Sequence, residues 1–320
     1  MLENMFIGHE DFVMIVGLIG LGNLGYPVGK NILRGGHALV VHDLNRATAD
    51  KLIERGAKWA NSPMEVAQQT DVVVTILPSP MSVCAVVEGE NGLIHGWSAG
   101  KAGIDSSTND LTELQRLAQK CAEIGVDVIE APMTGGIPRA HEGTMTSLVG
   151  ANRAAFDKYL PLIQSYAGDI LYLGEIGSAS TAKVITNMLA FIHLWALGEG
   201  LMLGKRNGLE TGALFEAIKA SCGNSFVAET EGPEILNGTY DYGFTLELAA
   251  KDSHLAYELA RRGNVPLEMG GMVEQLIHRG IGRYGKQAWS TQLVKLLEDD
   301  LNTDLRADGY ESQPIDRALE

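Results

Sequence analysis

A chain of 320 residues exceeds the roughly 100–200 residues of one ordinary domain, so two domains are expected, each burying its own core. With 45% hydrophobic and 20% charged residues and no low-complexity tract, the composition excludes disordered and fibrous classes. The 40 acidic against 25 basic residues give a net charge of −15, which repels nucleic acid and anionic membranes where no basic patch intervenes, and none is found.

In chain order, Met1 to Asp11 carries Glu3, Glu10 and Asp11 with no Lys or Arg, so it lacks the basic start of a signal peptide and reads as a flexible extension, residues 1–11. Residues 12–177 alternate short apolar runs with helical spacing, the pattern of an α/β fold with a Rossmann-type, doubly wound, mostly parallel sheet. The expected strands are Phe12–Ile19, Ala38–His42, Val72–Leu77, Gly103–Asp105, Asp127–Ile129, Ser147–Val149 and Ile170–Leu173. Residues 178–301 lack further β-branched runs and predict an all-helical C-terminal domain, with helices over 179–206, 210–221, 245–262, 269–280 and 288–299. The apolar stretch Met188 to Gly204 is interrupted by Asn187, His193 and Glu199, so a core helix is expected there and not a membrane span. Residues 302–320 form a polar tail, mobile or docked on a neighbour. Cys84, Cys121 and Cys222 stand apart and odd in number, which argues against disulfides and a zinc site and fits a reducing cytoplasm.

The first strand runs into Gly20-Leu21-Gly22-Asn23-Leu24-Gly25, a helix follows, and Asp43 closes the next strand. This is the dinucleotide fingerprint: Gly20 permits the tight turn, Gly22 lets backbone approach a pyrophosphate, and Gly25 allows close helix packing. The helix N-terminus then stabilises the phosphates through its unpaired N–H groups. A P-loop reading of Gly29-Lys30 fails, because Gly25 precedes Gly29 by the wrong spacing and Asn31 stands where magnesium needs a hydroxyl. Asp43 accepts hydrogen bonds from a ribose and repels a 2′-phosphate, which favours NAD; Arg46 offers that phosphate a guanidinium, so NADP stays open.

Downstream, Lys183 is the first long polar side chain of a very apolar helix, and Asn187 lies one turn later on the same face, able to meet one small polar substrate. Between them and the fingerprint, Thr134-Gly135-Gly136 ends a strand in glycines whose exposed N–H groups can hold a carboxylate.

Four blocks in this order, Gly17 to Gly25, Glu130-Ala131-Pro132-Met133-Thr134-Gly135-Gly136, Gly174 to Asn187, and Lys251-Asp252-Ser253-His254-Leu255-Ala256, cover nearly the whole chain, which resembles the β-hydroxyacid dehydrogenase family. The resemblance implies that Lys183 is the general acid/base, that Asn187 orients the substrate, and that Thr134, Gly135 and Gly136 hold its carboxylate. It also implies cofactor contacts from Leu77, Pro78, Thr108 and Lys251, beside those of Gly20, Gly22, Asn23, Leu24, Gly25 and Asp43. The chain departs from the family pattern at Glu130, where Asp is usual, at Met133-Thr134 for Val-Ser, at Ala179 for a glycine and at Ser82 for an asparagine of some members. The long Met133 is expected to alter the pocket.

The function expected is hydride transfer between NAD(P) and a small 3-hydroxy acid or semialdehyde, of the 3-hydroxyisobutyrate or tartronate semialdehyde/glycerate type. Decarboxylation of the 6-phosphogluconate kind is disfavoured, because Ala190 stands where those relatives place Glu. Imine-reducing relatives generally replace the lysine, and a non-catalytic module of this fold is expected to lose it. The long apolar helix predicts packing against another copy, and the family commonly forms dimers or tetramers.

Overall fold

The computed structural model describes residues 13–311 and residue 316, so the extension expected at 1–11 and residues 312–315 and 317–320 of the tail lie outside the described residues. The chain divides into two units. One takes in the described residues up to Ser107 together with Thr112–Ala179, and the other takes in Thr108–Leu111 and the described residues from Ser180 onward.

The first unit opens with β1 (Ile15–Ile19), α1 (Gly25–Arg34), β2 (Ala38–His42), α2 (Asp50–Ile53), β3 (Lys58–Trp59), α3 (Pro63–Gln69), β4 (Val72–Thr75) and α4 (Pro80–Glu88). It continues through β5 (Ala102–Asp105), α5 (Leu111–Glu123), β6 (Asp127–Glu130), β7 (Met133–Thr134), α6 (Gly136–Glu142), β8 (Met145–Gly150), α7 (Arg153–Gln164) and β9 (Ala167–Gly174). The sheet order is β3-β2-β1-β4-β5-β6-β8-β7, with β9 on β8. Strands β1 to β6 pair in parallel, while β8 runs antiparallel to β6 and β7 and parallel to β9.

Every residue of β4 and β5 is buried, the signature of parallel strands covered on both faces, and this is why they read as apolar runs without alternation. The order reverses between β1 and β4, so the carboxyl ends of these strands flank the crevice where such sheets take ligands. Two helices announce themselves by Ser-Pro: Ser62 and Ser79 cap α3 and α4 through their hydroxyls, with Pro63 and Pro80 at the first helical position. Ser82 belongs to the second of these caps, its N–H donating to Ser79 Oγ at 3.1 Å.

Three sequence expectations are corrected in this unit. Strands β3 and β7, two residues each, are too short to carry a periodic pattern. Strand β4 ends at Thr75, so Leu77 and Pro78 belong to the loop beyond it. Met133 is 3% exposed and packs in the sheet's core with Met145 and Val149, so it fills the core and not the pocket.

The second unit is helical: α8 (Ser178–Arg206), whose first two residues belong to the sheet unit, then α9 (Thr211–Lys219), α10 (Phe226–Asn237), α11 (Leu246–Gly263), α12 (Glu268–Tyr284) and α13 (Lys295–Leu301). Among the described residues no strand follows β9, only a single bridge between Thr245 and Trp289. Helix α10 escapes a sequence reading because Gly232-Pro233 looks like a break. Pro233 forfeits only the bond its missing N–H would give to the carbonyl four residues back, and bare Gly232 lets the Phe215 ring pack against the backbone. Phe191, Trp195, Phe215, Leu236, Leu246 and Ile277 are among the residues of the core, each fully buried side chain of this size contributing about 1.5–3 kcal/mol. By length and composition α8 is apolar enough to cross a membrane, yet Leu194, Leu197, Leu201 and Met202 bury one of its faces in this core while Ile185, Leu189 and Leu203 stay exposed.

The described part of the tail docks on its own unit. Leu305 is fully buried, and the Glu298 carboxylate accepts from Leu305 N at 2.9 Å and also from Arg306 and the Tyr240 hydroxyl.

Candidate active site

Gly20 has φ +92°, and a Cβ there would meet the Ile76 carbonyl oxygen at 2.2 Å; a Cβ on Gly25 would meet the Gly20 carbonyl oxygen at 1.8 Å. Both positions therefore require glycine, one for conformation and one for close approach. Beyond Gly22 lies open space, with no heavy atom within 4 Å of its Cβ position. No side chain caps α1; in its first turn Tyr26 N and Val28 N donate to the Gly22 and Leu24 carbonyls and Pro27 has no N–H, so the Gly25 N–H and the positive end of the helix dipole are what its start offers an anion. These features fit the pyrophosphate of a nicotinamide dinucleotide.

Asp43 ends up beside this turn because Leu21 N donates to its Oδ2 at 2.7 Å and Asn45 N to its Oδ1 at 2.8 Å. An ionised carboxylate has about four acceptor sites, so both oxygens keep capacity for ribose hydroxyls. Arg46 is engaged elsewhere: its Nη1 lies 2.7 Å from Asp50 Oδ1 and its guanidinium 4.7 Å from the centre of the Trp59 ring.

In the same unit Gly135 (φ +128°) and Gly136 (φ +82°) turn the chain from β7 into α6. Leu77 N donates to Ser107 Oγ at 2.9 Å, which fixes the loop after β4, and Pro78 is exposed. Glu130, 1% exposed at the end of β6, accepts on one oxygen from Gly177 N at 2.7 Å and Ala179 N at 2.8 Å. The negative charge thereby sits at the N-terminus of α8, where the helix dipole favours it. Its reach crosses the paired strand, because a Cβ on Gly150, the register partner of Glu130, would lie 2.1 Å from that oxygen.

The second unit joins Thr108, Lys251, Asp252 and Asn187 into one polar chain, with the Lys183 ammonium in electrostatic reach of Asp252 and Lys251. Lys251 Nζ donates to the Thr108 carbonyl at 3.0 Å and lies 2.7 Å from Asp252 Oδ1; Asn187 Nδ2 donates to Asp252 Oδ2 at 2.6 Å. Lys183 is 8% exposed. Burial pulls its ammonium down to about 8, opposed by the Asp252 carboxylate and assisted by the Lys251 charge. A lysine so placed exchanges a proton near neutral pH without a strong base nearby.

The residues expected from sequence thus fall into two sets. Gly20, Gly22, Asn23, Leu24, Gly25, Asp43, Leu77, Pro78 and Thr134 to Gly136 belong to the sheet unit, and Thr108, Lys183, Asn187 and Lys251 to the helical unit. Two residues were named inside the matching blocks without a role of their own: Asp252 is 1% exposed and holds Asn187, and Glu130 stands at the carboxyl end of a parallel strand, where sites gather. Of the aromatic residues in this unit, Trp195 is core and Phe226 is 51% exposed.

Two family models match. Residues 15–174 match the NAD binding domain of 6-phosphogluconate dehydrogenase, and residues 177–297 match a domain described as NAD-binding of NADP-dependent 3-hydroxyisobutyrate dehydrogenase. The chain is 33% identical over 266 residues to 2-(hydroxymethyl)glutarate dehydrogenase of Eubacterium barkeri, covering 83% of this chain and 88% of the relative. It is 31% identical over 293 residues to the mitochondrial 3-hydroxyisobutyrate dehydrogenase of Mus musculus, covering 89% and 88%. The crystal structure of 3-hydroxyisobutyrate dehydrogenase from Salmonella typhimurium superposes with TM-score 0.81 at 25% identity, over 88% of this chain and 99% of that one. Sheet, glycine turn and helical unit together define an NAD(P)-binding oxidoreductase that acts on CH–OH groups. The chain belongs to the β-hydroxyacid dehydrogenase family, that of 3-hydroxyisobutyrate dehydrogenase.

Proposed function

We propose that Lys183 is the general acid/base of a reversible oxidation of a small 3-hydroxy acid to its semialdehyde. The observation that carries this is a buried lysine brought to about 8, with Asn187 one turn away. Bound NAD(P) supplies the acceptor for the hydride that leaves the alcohol carbon. In the oxidative direction neutral Lys183 Nζ takes the hydroxyl proton as the C–O bond becomes a carbonyl; in reduction the ammonium stabilises the developing alkoxide and returns the proton. Asn187, its amide nitrogen fixed by Asp252, presents its carbonyl oxygen to the substrate. Thr134 with the Gly135 and Gly136 N–H groups takes the carboxylate. Asp43 and an Arg46 already paired with Asp50 support a preference for NAD over NADP.

Candidate substrates are 3-hydroxyisobutyrate, glycerate and, from the Eubacterium relative, 2-(hydroxymethyl)glutarate. The exposed Ile185, Leu189 and Leu203 on α8 fit a homodimer or homotetramer surface. The free thiols Cys84, Cys121 and Cys222 fit a reducing cytoplasm. The test is cofactor reduction across a panel of 3-hydroxy acids with NAD and NADP, run beside Lys183→Ala. Turnover undiminished in that variant refutes the acid/base assignment.

A further inference from the structure

The glycine turn assigned above to the carboxylate has a cation lying against it that this reaction does not use. Arg139 stands four residues after Gly135 on α6, and its side chain runs back over that glycine: a Cβ built on Gly135 would meet Arg139 Cδ at 3.1 Å and Nη1 at 3.6 Å. Because Gly135 sits at φ +128°, a conformation that L side chains rarely adopt, the space beside the main chain belongs to the guanidinium.

The partners of this guanidinium are weak. The carboxylate paired with it, Asp169, is 3.8 Å away and 69% exposed on β9, beyond hydrogen-bond distance, with the Arg139 side chain 36% exposed. Other arginines of the molecule sit in tight pairs, such as Arg116 with Glu88 at 2.6 Å and Arg153 with Asp157 at 2.9 Å. Exchanging a loose, solvated pair for a ligand costs little, because such pairs contribute at most about 1 kcal/mol. A carboxylate brought to the guanidinium fork gains two charge-assisted hydrogen bonds in parallel. In a chain of net charge −15, where anions are repelled in general, a loosely held arginine beside the N–H groups of Gly135 and Gly136 is a local exception.

We propose that Arg139 binds a second carboxylate of the substrate, so that the preferred 3-hydroxy acid is a dicarboxylate. One carboxylate takes the Thr134 to Gly136 turn and the other, a few carbons away, takes the guanidinium. This rests on the assignment of that turn to the substrate acid.

A matched pair of substrates tests it: 3-hydroxyisobutyrate, and 2-(hydroxymethyl)succinate, which replaces the methyl group by a carboxymethyl group. The wild type is expected to prefer the dicarboxylate by at least about tenfold in kcat/KM, and Arg139→Gln to lower that value about 10- to 100-fold, through KM, with the monocarboxylate within about twofold. Arg139→Lys restores part of the loss, since a point charge remains without the fork. Calorimetric binding of methylsuccinate, which cannot react, weakens in parallel. An equal fall on both acids, or none on the dicarboxylate, overturns the proposal. Turnover of 3-hydroxyisobutyrate without preference for the dicarboxylate sinks it while leaving the hydroxy-acid reaction intact. If neither acid is oxidised but methylsuccinate binding still depends on Arg139, the substrate reading fails and the anion site stands; if that dependence is missing too, both fail.

Discussion

Removing the Glu130 carboxylate is expected to loosen the start of the helix that carries Lys183. Its oxygen receives two N–H groups, at 2.7 and 2.8 Å, from a site 1% exposed, and bonds to a charged group contribute about 1.5–3 kcal/mol each. Glu130→Ala loses both and leaves two N–H groups without this acceptor, so a loss of about 3–5 kcal/mol is expected; Glu130→Gln keeps an acceptor but not the charge and loses about half. Gly150 supplies an internal control. Gly150→Ala alone thrusts a methyl to 2.1 Å from the Glu130 oxygen and 2.9 Å from its Cγ and destabilises, whereas combined with Glu130→Ala, which removes both atoms, the clash is relieved. The double-mutant cycle should therefore show a favourable coupling of roughly 1–2 kcal/mol. Urea unfolding followed by far-UV circular dichroism reads the stabilities, with both transitions fitted if the units melt separately. In parallel, kcat should fall more than KM changes, because a shift of about 1 Å in a catalytic group costs on the order of a hundredfold. Glu130→Ala within 0.5 kcal/mol of wild type, or additive effects in the cycle, would refute the reasoning.

The pH profile carries the sign of the Lys183 shift. Burial lowers it from 10.5 to about 8, so oxidation, which needs the neutral amine, should rise with pH and level off above about 8, while reduction falls over the same range. Asp252→Asn removes the carboxylate that opposes this lowering, so both limbs should move to lower pH; an unmoved profile would separate Asp252 from Lys183. Asp43→Asn should narrow the preference for NAD over NADP in direct binding titrations, and a widened preference would exclude Asp43 from the ribose site. Leu305→Ala, at a fully buried position, should cost about 2–5 kcal/mol by denaturant melting, and a neutral result would mean that residues 303–310 do not dock in solution. Leu189→Glu places a charge on the exposed face of α8 and should shift a dimer toward monomer in sedimentation; a wild type that sediments as monomer removes the predicted surface.

The sheet was legible because parallel strands are buried on both faces and leave long apolar signatures, as at Val72 to Thr75. Strands β3 and β7 were not, since two residues carry no period, and α10 was masked by Gly232-Pro233, where the Phe215 ring packs so close that a Cβ on residue 232 would meet it at 2.4 Å. In the site, Lys183 and Asn187 stood out as polar residues one turn apart on an apolar helix. Asp252 appeared only inside a matching block, because its hydrogen bond to Asn187 spans 65 positions of the chain and leaves no local pattern. Glu130 reached its partners 47 and 49 residues on by the same kind of long-range closure. Arg306 illustrates the converse: it read as part of a polar tail, and only the buried Glu298 makes it structural.

The grouping of Thr108–Leu111 with the helical unit bears on how modular the protein is. Thr108 gives Lys251 its carbonyl partner, Asp110 pairs with Arg262 at 3.3 Å, and Asn109, Asp110 and Leu111 line one small pocket with Val184, Leu255 and Leu259. A cut between residues 179 and 180 would therefore release a helical fragment missing part of its own wall. The two halves are interleaved in sequence, and recombining either with a foreign counterpart requires exchanging that short loop as well.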